Sequence, residues 1–495
     1  MIAVVSPEEM REIDKASVEA EEVLVARAGA AVARVALAML GGAYGRRVVV
    51  VTGKGNNGAD GRVAAARLRR AGARVRIVEA AGPRGRLPVV DLVIDAAYGT
   101  GLRAGSAYEA PDPGGVPVLA VDIPSGVDGL TGEAGAGAVR ADRTVTFAAL
   151  KPGLLLSPGI GHAGATTVAG IGLDVGDASM ALVEEADCSA WIPLRPRESH
   201  KWRSAVWVAA GSPGMVGAAQ MAARAAMRAG AGTVRLGVPG IHVEPTFAEV
   251  VGSPLPAEGW AQAVLGDLER TRALVVGPGL GRSAATSAEV RRLLSEAPVP
   301  AVVDADALWA LGSLGDAAPV LGARRADTVL TPHEGEFRRL TGAVVPADRV
   351  AAVRQVASAT GATVLLKGST TVVAGPDGRV LFCTAGDQRL ATAGSGDVLA
   401  GVVGALLAQG LDGFRAAAAA AFVHGAAGHL GWRRGLVAGD LPDLLPAVLD
   451  RLGDPGRTED SLAARTLAPS VRRRTAGPTG GVPGPSGAAT APPGP

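Results

Sequence analysis

Residues 47–72 read RVVVVTGKGNNGADGRVAAARLRRAG, and this stretch decides the fold of the first half of the chain. RVVVVTG (47–53) is a continuous β-branched run ending in glycine, which is typical of a strand buried on both faces. GADGRVAAARLRRAG (58–72) follows with the pattern of a helix. A buried strand, a glycine-rich turn and a helix in this order predict one unit of a doubly wound α/β domain.

The same alternation continues on both sides of this unit. Residues 7–40 predict a helix, because acidic residues stand near its start and apolar residues recur at helical spacings up to Gly41-Gly42. A second alternating pattern begins near residue 204 and continues past 430. Further strands are predicted at 75–80, 91–97, 116–124, 143–150, 233–239, 273–279, 299–308, 327–333, 362–368 and 370–375. We therefore expect an α/β protein with two doubly wound domains.

Proline and mixed charges in IPLRPRESHKW (192–202) indicate a linker, which places a domain boundary near residue 195. The expected domains are 1–195 and 196–455. Beyond 455 the alternation is lost, and twelve of the 21 residues from 475 to 495 are Gly or Pro. Such a composition cannot bury enough apolar surface to offset the entropy lost on ordering, so 456–495 is expected to be a disordered tail.

Composition excludes several classes of function. The chain has 495 residues, of which 48% are hydrophobic and 19% charged, as in globular proteins. Lys plus Arg number 49 against 47 for Asp plus Glu, so charge gives no support for a nucleic-acid or membrane partner. Cys188 and Cys383 lack CxxC spacing, and no charge-free apolar run of about 20 residues is present. We expect a cytoplasmic enzyme that acts on small molecules and forms a homo-oligomer.

Gly53, Gly55 and Gly58 form a GxGxxG between a strand and a helix, where backbone amides favour a pyrophosphate. Glu79 ends the next predicted strand, so an NAD-dependent dehydrogenase is one interpretation, and a glycine turn without a ligand is another. The loop interior, however, carries Asn56, Asn57 and Asp60. Their oxygen atoms suit a hard cation or ribose hydroxyls better than an ordinary dinucleotide loop.

Further polar residues end predicted strands in the same domain. Asp95 and Asp122 lie near the ends of such strands, and Ser125 and Lys151 directly follow them. Because the carboxyl ends of parallel strands share one edge of a sheet, these side chains are expected in a single crevice. Asp122 is a candidate general base, and a structural Asp that caps the DIPSG turn is the competing interpretation.

GKGNNGADG, DAAYGTGL, VDIPSGVDG and LKPG occur in order between about Met10 and Leu155, and together they resemble the NAD(P)HX epimerase family. The resemblance implies a Rossmann-like three-layer sandwich, a potassium ion bound by Asn57, Asp95 and Ser125, and substrate contact at Asp122. It also implies that the hydrated dinucleotide binds to Asn56, Asn57, Gly58, Ala59, Asp60, Gly99, Thr100, Gly101, Leu102, Arg103, Ala104 and Gly105. The family usually reads GPGNNGGDG, so Lys54 and Ala59 depart from it. A methyl group at Ala59 is compatible with the loop only if that residue needs no positive φ.

GSGDVLAG (394–401) places two glycines before a helix and Asp397 at its start. This arrangement is expected of an anion hole beside a base in phosphoryl transfer, although Asp397 as a mere helix cap fits the segment equally. GPGLGRS (277–283), TPHEGEF (331–337) and LKGSTTVV (366–373) precede it in the order found in ribokinase-like kinases. HEGEF lacks the second histidine of HExxH and is therefore not a zinc-peptidase motif.

Within the ribokinase-like superfamily, residues 200–450 resemble the NAD(P)HX dehydratase family, whose opening strand, loop and helix match residues 200–232. The resemblance implies substrate contacts at Ala218, Gly281, His333 and Asp397, and catalysis by Asp397. It implies that ADP with Mg²⁺ binds to Lys367, Gly368, Ser369, Thr370, Thr371, Gly394, Ser395 and Gly396. Ser395 stands where the family usually has Thr, which keeps a hydroxyl group. His424 and His429 are predicted to be ordinary helix-face residues.

Taken together, the resemblances imply a two-domain metabolite-repair enzyme. One domain would interconvert the R and S epimers of NADHX and NADPHX. The other would dehydrate the S epimer to NAD(P)H at the expense of ADP, with AMP and phosphate as co-products. The alternative is a ribokinase-like vitamin or sugar kinase fused to a non-catalytic dinucleotide-binding module.

Overall fold

The computed structural model describes residues 1–81, 85–101 and 108–453. The predicted dinucleotide contacts Leu102 to Gly105 and the tail 456–495 lie outside these residues. The first part of the chain contains helices α1 (Pro7–Ala16), α2 (Glu21–Leu40), α3 (Asn56–Arg70), α4 (Ile160–Ala163) and α5 (Glu185–Trp191). Its strands are β1 (Ile2–Val4), β2 (Arg47–Thr52), β3 (Arg74–Glu79), β4 (Leu92–Ala96), β5 (Val118–Val121), β6 (Arg143–Phe147), β7 (Ala165–Ala169) and β8 (Met180–Leu182).

The second part continues the alternation of strands and helices. Its strands are β9 (Ala205–Ala209), β10 (Thr233–Gly237), β11 (Val250–Gly252), β12 (Ala273–Val276), β13 (Ala301–Val303), β14 (Thr328–Leu330), β15 (Thr363–Leu366), β16 (Thr371–Ala374) and β17 (Val380–Cys383). Its helices are α6 (Val216–Arg228), α7 (Trp260–Gly266), α8 (Ala284–Glu296), α9 (Asp306–Leu311), α10 (Leu314–Gly322), α11 (Glu334–Thr341), α12 (Arg349–Thr360), α13 (Ser395–Ala408), α14 (Gly413–Leu430) and α15 (Leu441–Leu452).

Six parallel strands form the first sheet, in the order β3-β2-β4-β5-β6-β7. The α2 and α3 helices cover one face through a core of alanine, valine and leucine. Residues such as Val90 and Val139 cover the opposite face. The strand order reverses between β2 and β4, which is the place where open α/β sheets bind ligands.

Eleven strands form the second sheet, in the order β1-β8-β17-β16-β15-β14-β13-β12-β9-β10-β11. The strands from β15 to β11 in this order are parallel, whereas β16 is antiparallel to both of its neighbours. Helices α6, α13, α14 and α15 pack on one face, and α7 to α12 pack on the other. The prediction of two doubly wound α/β domains is confirmed.

Two strands from the first part of the chain belong to the second sheet. The β8 strand pairs in parallel with β17, and β1 pairs antiparallel with β8. The chain therefore passes from one sheet to the other between Ala169 and Met180, and not near the predicted boundary at 195. A strand of only three residues is too short to show an alternating pattern, which explains the difference.

Several predicted elements differ in extent from those observed. The expected helix over 7–40 is two helices, because Ser17 and Ala20 adopt extended conformations between them. The strand expected over 299–308 ends at Val303, and Asp306 already begins α9. The β1, β7, β8, β11 and β17 strands are not predicted by the sequence.

Among the described residues, α2 is the one helix long and apolar enough to cross a membrane, judged by length and composition alone. In this fold, Ala28, Val32 and Ala36 on α2 are buried in the core of the first domain. Gly41 ends the helix in the left-handed conformation (φ 65°), as the Gly41-Gly42 stop predicts. The helix thus packs as a core helix against α3 and the first sheet.

Candidate active sites

A cleft of about 730 Å³ lies at the carboxyl ends of β2, β4 and β5. From the predicted set it is lined by Asn56, Asn57, Asp60, Gly99, Thr100, Gly101, Asp122 and Lys151. Residues of α1 and α2, among them Asp14 and Leu24, also line it. The break between these two helices lets both reach the cleft, so the structure adds two helices to the site that the strand-end argument did not place there.

Two glycines of the GxGxxG allow close approach of the backbone. A Cβ atom at Gly53 would lie 1.9 Å from the carbonyl oxygen of Ala97, and one at Gly58 would lie 2.0 Å from that of Gly53. Gly55 precedes α3 with open space around it. Ala59 lies within α3 and is not among the described non-glycine residues with positive φ, so its methyl group is compatible with the loop.

Asp122 is one of the few described non-glycine residues in the left-handed region, with φ 67°. Its Oδ1 accepts hydrogen bonds from Lys151 Nζ at 2.7 Å and from Thr146 Oγ1 at 3.2 Å. The Lys151 side chain is only 1% exposed and also donates to the Phe147 carbonyl oxygen. Among the described hydrogen bonds no backbone amide donates to Asp122, so a cap of the DIPSG turn is not what the side chain forms. The sequence placed Lys151 on this edge but did not assign it as the partner of Asp122.

Two further acids in the cleft, Asp60 and Asp14, have raised pKa values. Burial, together with the charge of Asp122, raises the pKa of Asp60 to about 8. Burial also raises the pKa of Asp14, against the opposing effect of Lys151. The cleft therefore combines a lysine–aspartate ion pair with Asp60, a carboxyl group that holds a proton near neutral pH.

Two of the three predicted potassium ligands, Asp95 and Ser125, are in contact at the carboxyl end of β4. Asp95 is buried, and its two carboxylate oxygens accept from the Ser125 amide at 2.8 Å and from Ser125 Oγ at 2.7 Å. Both side-chain polar atoms of Asn57 are buried without a hydrogen-bond partner. Burial raises the pKa of Asp95 to about 6, and no described Lys or Arg pairs with it. Oxygen donors of this kind, with an unpartnered amide, fit a hard monovalent cation.

In the second domain, Asp397 lies in the first turn of α13, which starts after Gly394 in the left-handed conformation (φ 91°). Burial and the negative charge of Asp304 raise the pKa of Asp397 to about 7, while Lys367 opposes the shift. Asp397 makes no capping hydrogen bond to a described backbone amide. The arrangement favours a base at a helix N-terminus over a simple helix cap.

Lys367 lies at the centre of an acidic group around Asp397. Its Nζ donates to Asp304 Oδ1 at 2.6 Å, and a Cβ atom at Gly396 would lie 3.2 Å from Nζ. Burial disfavours the ammonium, but Asp304 and Glu336 outweigh burial and raise the pKa of Lys367. Asp304 and Glu336 are not among the residues predicted from the sequence. Asp304 directly follows β13, so the strand-end rule used in the first domain could have found it.

The predicted substrate residues of this domain adjoin the acidic group. The Gly281 amide donates to Asp306 Oδ2 at 2.9 Å, and Ala218 lies against neighbouring Gly279. His333 is the N-cap of α11, and its amide donates to Glu336 Oε2 at 2.9 Å. Asp304, Asp306 and Glu336 all act electrostatically on Asp397. The structure thus connects Gly281 and His333 to Asp397 through acids that the sequence did not single out, and it places Ala218 beside Gly279.

A second cavity, of about 660 Å³, lies beside Lys367 and the start of α13. Six predicted nucleotide contacts line it: Lys367, Gly368, Ser369, Thr371, Ser395 and Gly396. Gly394 is not among the lining residues, and Thr370 is buried with its hydroxyl donating to the Leu155 carbonyl oxygen at 2.5 Å. The Thr370 side chain therefore joins the two domains and does not line this cavity.

Comparison with known proteins matches both halves of the chain. A family model described as NAD(P)H-hydrate dehydratase matches residues 206–450, and one described as YjeF-related protein N-terminus matches 21–86 and 79–153. A bifunctional NAD(P)H-hydrate repair enzyme of Moorella thermoacetica is 37% identical over 83% of this chain and 89% of that protein. One of Mycobacterium tuberculosis is 42% identical over 77% of this chain and 82% of that protein. The chain belongs to the bifunctional NAD(P)H-hydrate repair enzymes.

A solved structure also resembles part of this repair enzyme. The ADP/ATP-dependent NAD(P)H-hydrate dehydratase of Bacillus subtilis, co-crystallized with ATP/Mg²⁺, is 32% identical, with a TM-score of 0.48. The matched region covers 55% of this chain and 98% of the Bacillus subtilis chain. Within this repair enzyme, the first cleft falls in the epimerase domain and the second cavity falls mainly in the dehydratase domain. The β1 strand, the β8 strand and α5 lie outside both matched regions.

Proposed function

We propose that this enzyme repairs hydrated nicotinamide cofactors, with its first domain interconverting R- and S-NAD(P)HX and its second dehydrating the S epimer to NAD(P)H. The observation that carries the proposal is Asp397, a carboxyl group with its pKa raised to about 7 at the N-terminus of α13, beside the Lys367 ammonium. A group with its pKa near working pH suits general-base catalysis. The converging cation and helix N-terminus suit a phosphoryl group.

Phosphorylation gives the dehydration step a feasible leaving group. Asp397 accepts the proton of the C6 hydroxyl, whose oxygen attacks the terminal phosphorus of ADP, and the bond to AMP breaks. The ring nitrogen lone pair then expels phosphate from C6, and loss of a proton from C5 restores the C5–C6 double bond. The products are NAD(P)H, AMP and phosphate, which balances the reaction with ADP as co-substrate.

The charges around Lys367 support the binding of a magnesium nucleotide. Lys367 and the amides at the start of α13 would neutralise the transferred phosphoryl group. Mg²⁺ usually keeps most of its ligands as water and phosphate, so it would enter with ADP. Among the described residues no group of three or more His, Cys, Asp or Glu side chains is arranged to hold a metal. The nucleotide phosphates would supply the missing ligands.

In the epimerase domain, Asp122 is proposed to take the proton of the C6 hydroxyl. The oxygen then forms a carbonyl while the C6–N1 bond breaks and N1 gains the electron pair. Closure on the other face of the carbonyl and return of the proton give the opposite epimer. Lys151 keeps Asp122 in position through the 2.7 Å ion pair. The residues proposed to hold potassium are Asn57, Asp95 and Ser125, and the ion would supply positive charge for an anionic substrate.

The decisive experiment mixes the purified enzyme with both NADHX epimers, ADP and magnesium, and follows NADH absorbance. Complete conversion of both epimers is expected, with AMP and phosphate formed in equal amounts. Absence of NADH with either ADP or ATP would reject this function and leave a vitamin or sugar kinase as the next hypothesis. Substitution of sodium for potassium tests the cation, with slower consumption of the R epimer expected.

A further inference from the structure

The cavity assigned to the nucleotide has walls from both domains. The dehydratase domain contributes Lys367 to Ser369, Thr371, Ser395 and Gly396. The epimerase domain contributes a second wall that lies outside every motif identified in the sequence, consisting of Leu154, Leu155, Ile160, Gly161, Gly164 and Thr166. About 200 residues of sequence separate these walls, and the fold brings them to one cavity.

The contact between the walls is buried and specific. Thr370 and Leu155 are both almost fully buried, and the Thr370 hydroxyl donates to the Leu155 carbonyl oxygen. Leu150, Leu154 and Leu156 join one continuous apolar core with residues of the second sheet. An interface with a buried hydrogen bond and a shared core holds its parts at a fixed separation.

The cavity has both polar and apolar lining residues. The Lys367 ammonium and the start of α13 contribute polar groups. Leu154, Leu155 and Ile160 face the same cavity as Leu390 and Leu399, which are apolar residues of the dehydratase domain. A nucleotide has the same combination, because its phosphates are anionic and its base is planar and largely apolar.

His424 gives an independent indication that a ligand completes this cavity. Its side chain lines the cavity, is 6% exposed, and has no hydrogen-bond partner for Nε2. Burial and the nearby Lys367 lower the pKa of His424 to about 4, so the ring is neutral at pH 7. A buried polar atom without a partner is costly, and a nucleotide in the cavity would supply one.

From this geometry we infer that the nucleotide site is composite, with Leu155, Ile160 and Thr166 of the epimerase domain forming the wall against which the nucleotide base lies. The inference rests on the proposed nucleotide-dependent dehydration and adds a structural role of the first domain in it. The epimerase domain then acts twice, once as a catalyst at its own cleft and once as part of the dehydratase site. None of the three residues lines the epimerase cleft.

Two neighbouring threonines on β7 provide a matched test. Thr166 lines the cavity, whereas Thr167 is exposed and lines none of the described cavities. In the full-length enzyme, the Trp side chain of Thr166→Trp should occupy part of the cavity. Binding of MgADP, measured by calorimetry, should weaken at least about 10-fold. Thr167→Trp should bind MgADP within about 2-fold of wild type. Ile160→Ala, which only removes side-chain atoms, should weaken binding about 5-fold.

Epimer exchange is measured in each variant as a control for folding of the first domain, and it should match wild type. Wild-type affinity for MgADP in both Thr166→Trp and Ile160→Ala would overturn the composite site while leaving the proposed function intact. If the wild-type enzyme binds neither ADP nor ATP and forms no NADH, the proposed function fails and the composite site fails with it.

Discussion

Asp397 illustrates how burial prepares a carboxyl group for proton transfer. Its pKa is raised to about 7, first by burial and then by Asp304. The basic form is the deprotonated one, so its population increases as the pH rises through 7. We predict that kcat/KM for dehydration rises between about pH 5.5 and 8. Epimer exchange, measured over the same pH range, serves as the control for a general loss of structure.

Asp397→Asn should lower dehydration about 100-fold or more and leave epimer exchange unchanged, because the amide cannot accept the hydroxyl proton. The substitution keeps the shape of the side chain in the first turn of α13. Single-turnover rates for the pure S epimer are the appropriate measurement. Dehydration at near wild-type rate would reduce Asp397 to a structural residue.

Asp122→Asn tests the base of the epimerase cleft. Asn tolerates the left-handed conformation that Asp122 adopts, so the backbone should be preserved. The variant should consume the S epimer through the second domain and leave the R epimer to its spontaneous inversion, which gives biphasic progress curves.

The Asp122→Asn substitution also breaks an ion pair, because it leaves the buried Lys151 ammonium without its carboxylate. A lower melting temperature is therefore expected for Asp122→Asn. The double variant Asp122→Asn/Lys151→Met should recover stability without recovering epimerase activity. Recovery of both would show that the pair has a structural role only.

At the level of single residues, the positions of polar residues at the ends of strands could be predicted from the sequence. Such residues lie together because parallel strands end at the same edge of the sheet. Asp95 and Asp122 were predicted on this basis, and both lie at the carboxyl edge of the first sheet. Asp304 also follows a strand, but it was not predicted because the expected strand extends five residues beyond Val303. The Lys151–Asp122 pair could not be predicted, because it depends on the path of the chain after β6.

Among the elements, the glycine loop before α3 offers a test of close backbone approach. Gly58→Ala should destabilise the first domain by about 1–3 kcal/mol and reduce epimerase activity, because the new methyl group would collide with the Gly53 carbonyl. Gly55→Ala is the matched control, since nothing lies within 4 Å of its added methyl group. Thermal unfolding and epimer exchange measure both effects. Equal behaviour of the two variants would contradict this account of the motif.

Element boundaries were predicted well where glycine or a β-branched run marks them, and poorly elsewhere. The end of α2 at Leu40 follows from Gly41, and β2 follows from its four valines. The break at 17–20 carries no Gly or Pro, so local sequence gives no signal for it. Within the break the Ser17 hydroxyl accepts from the Glu19 amide, and Arg27 on α2 pairs with Glu19 and donates to the Ile171 carbonyl oxygen.

For the whole molecule, the two sheets predict where the chain can be divided. A fragment of residues 174–453 retains β8 and α5, whereas 196–453 exposes the edge of β17 and removes buried Cys188 from the core. The shorter fragment should have a lower melting temperature and a greater tendency to aggregate. Light scattering and thermal unfolding of the two fragments compare them directly. Equal stability would support a boundary near 195.

The placement of β1 at the outer edge of the second sheet has a consequence for synthesis on the ribosome. Its neighbour β8 pairs with β17, and about 380 residues separate Val4 from Val380. At roughly 5–20 residues per second, translation takes about 20–75 s to produce that last strand. During this interval the early strands have a partner in each other but no sheet to join. In the nascent chain, β1 and β8 therefore wait longest for the sheet that they join. A chaperone would be most useful if it bound these two strands.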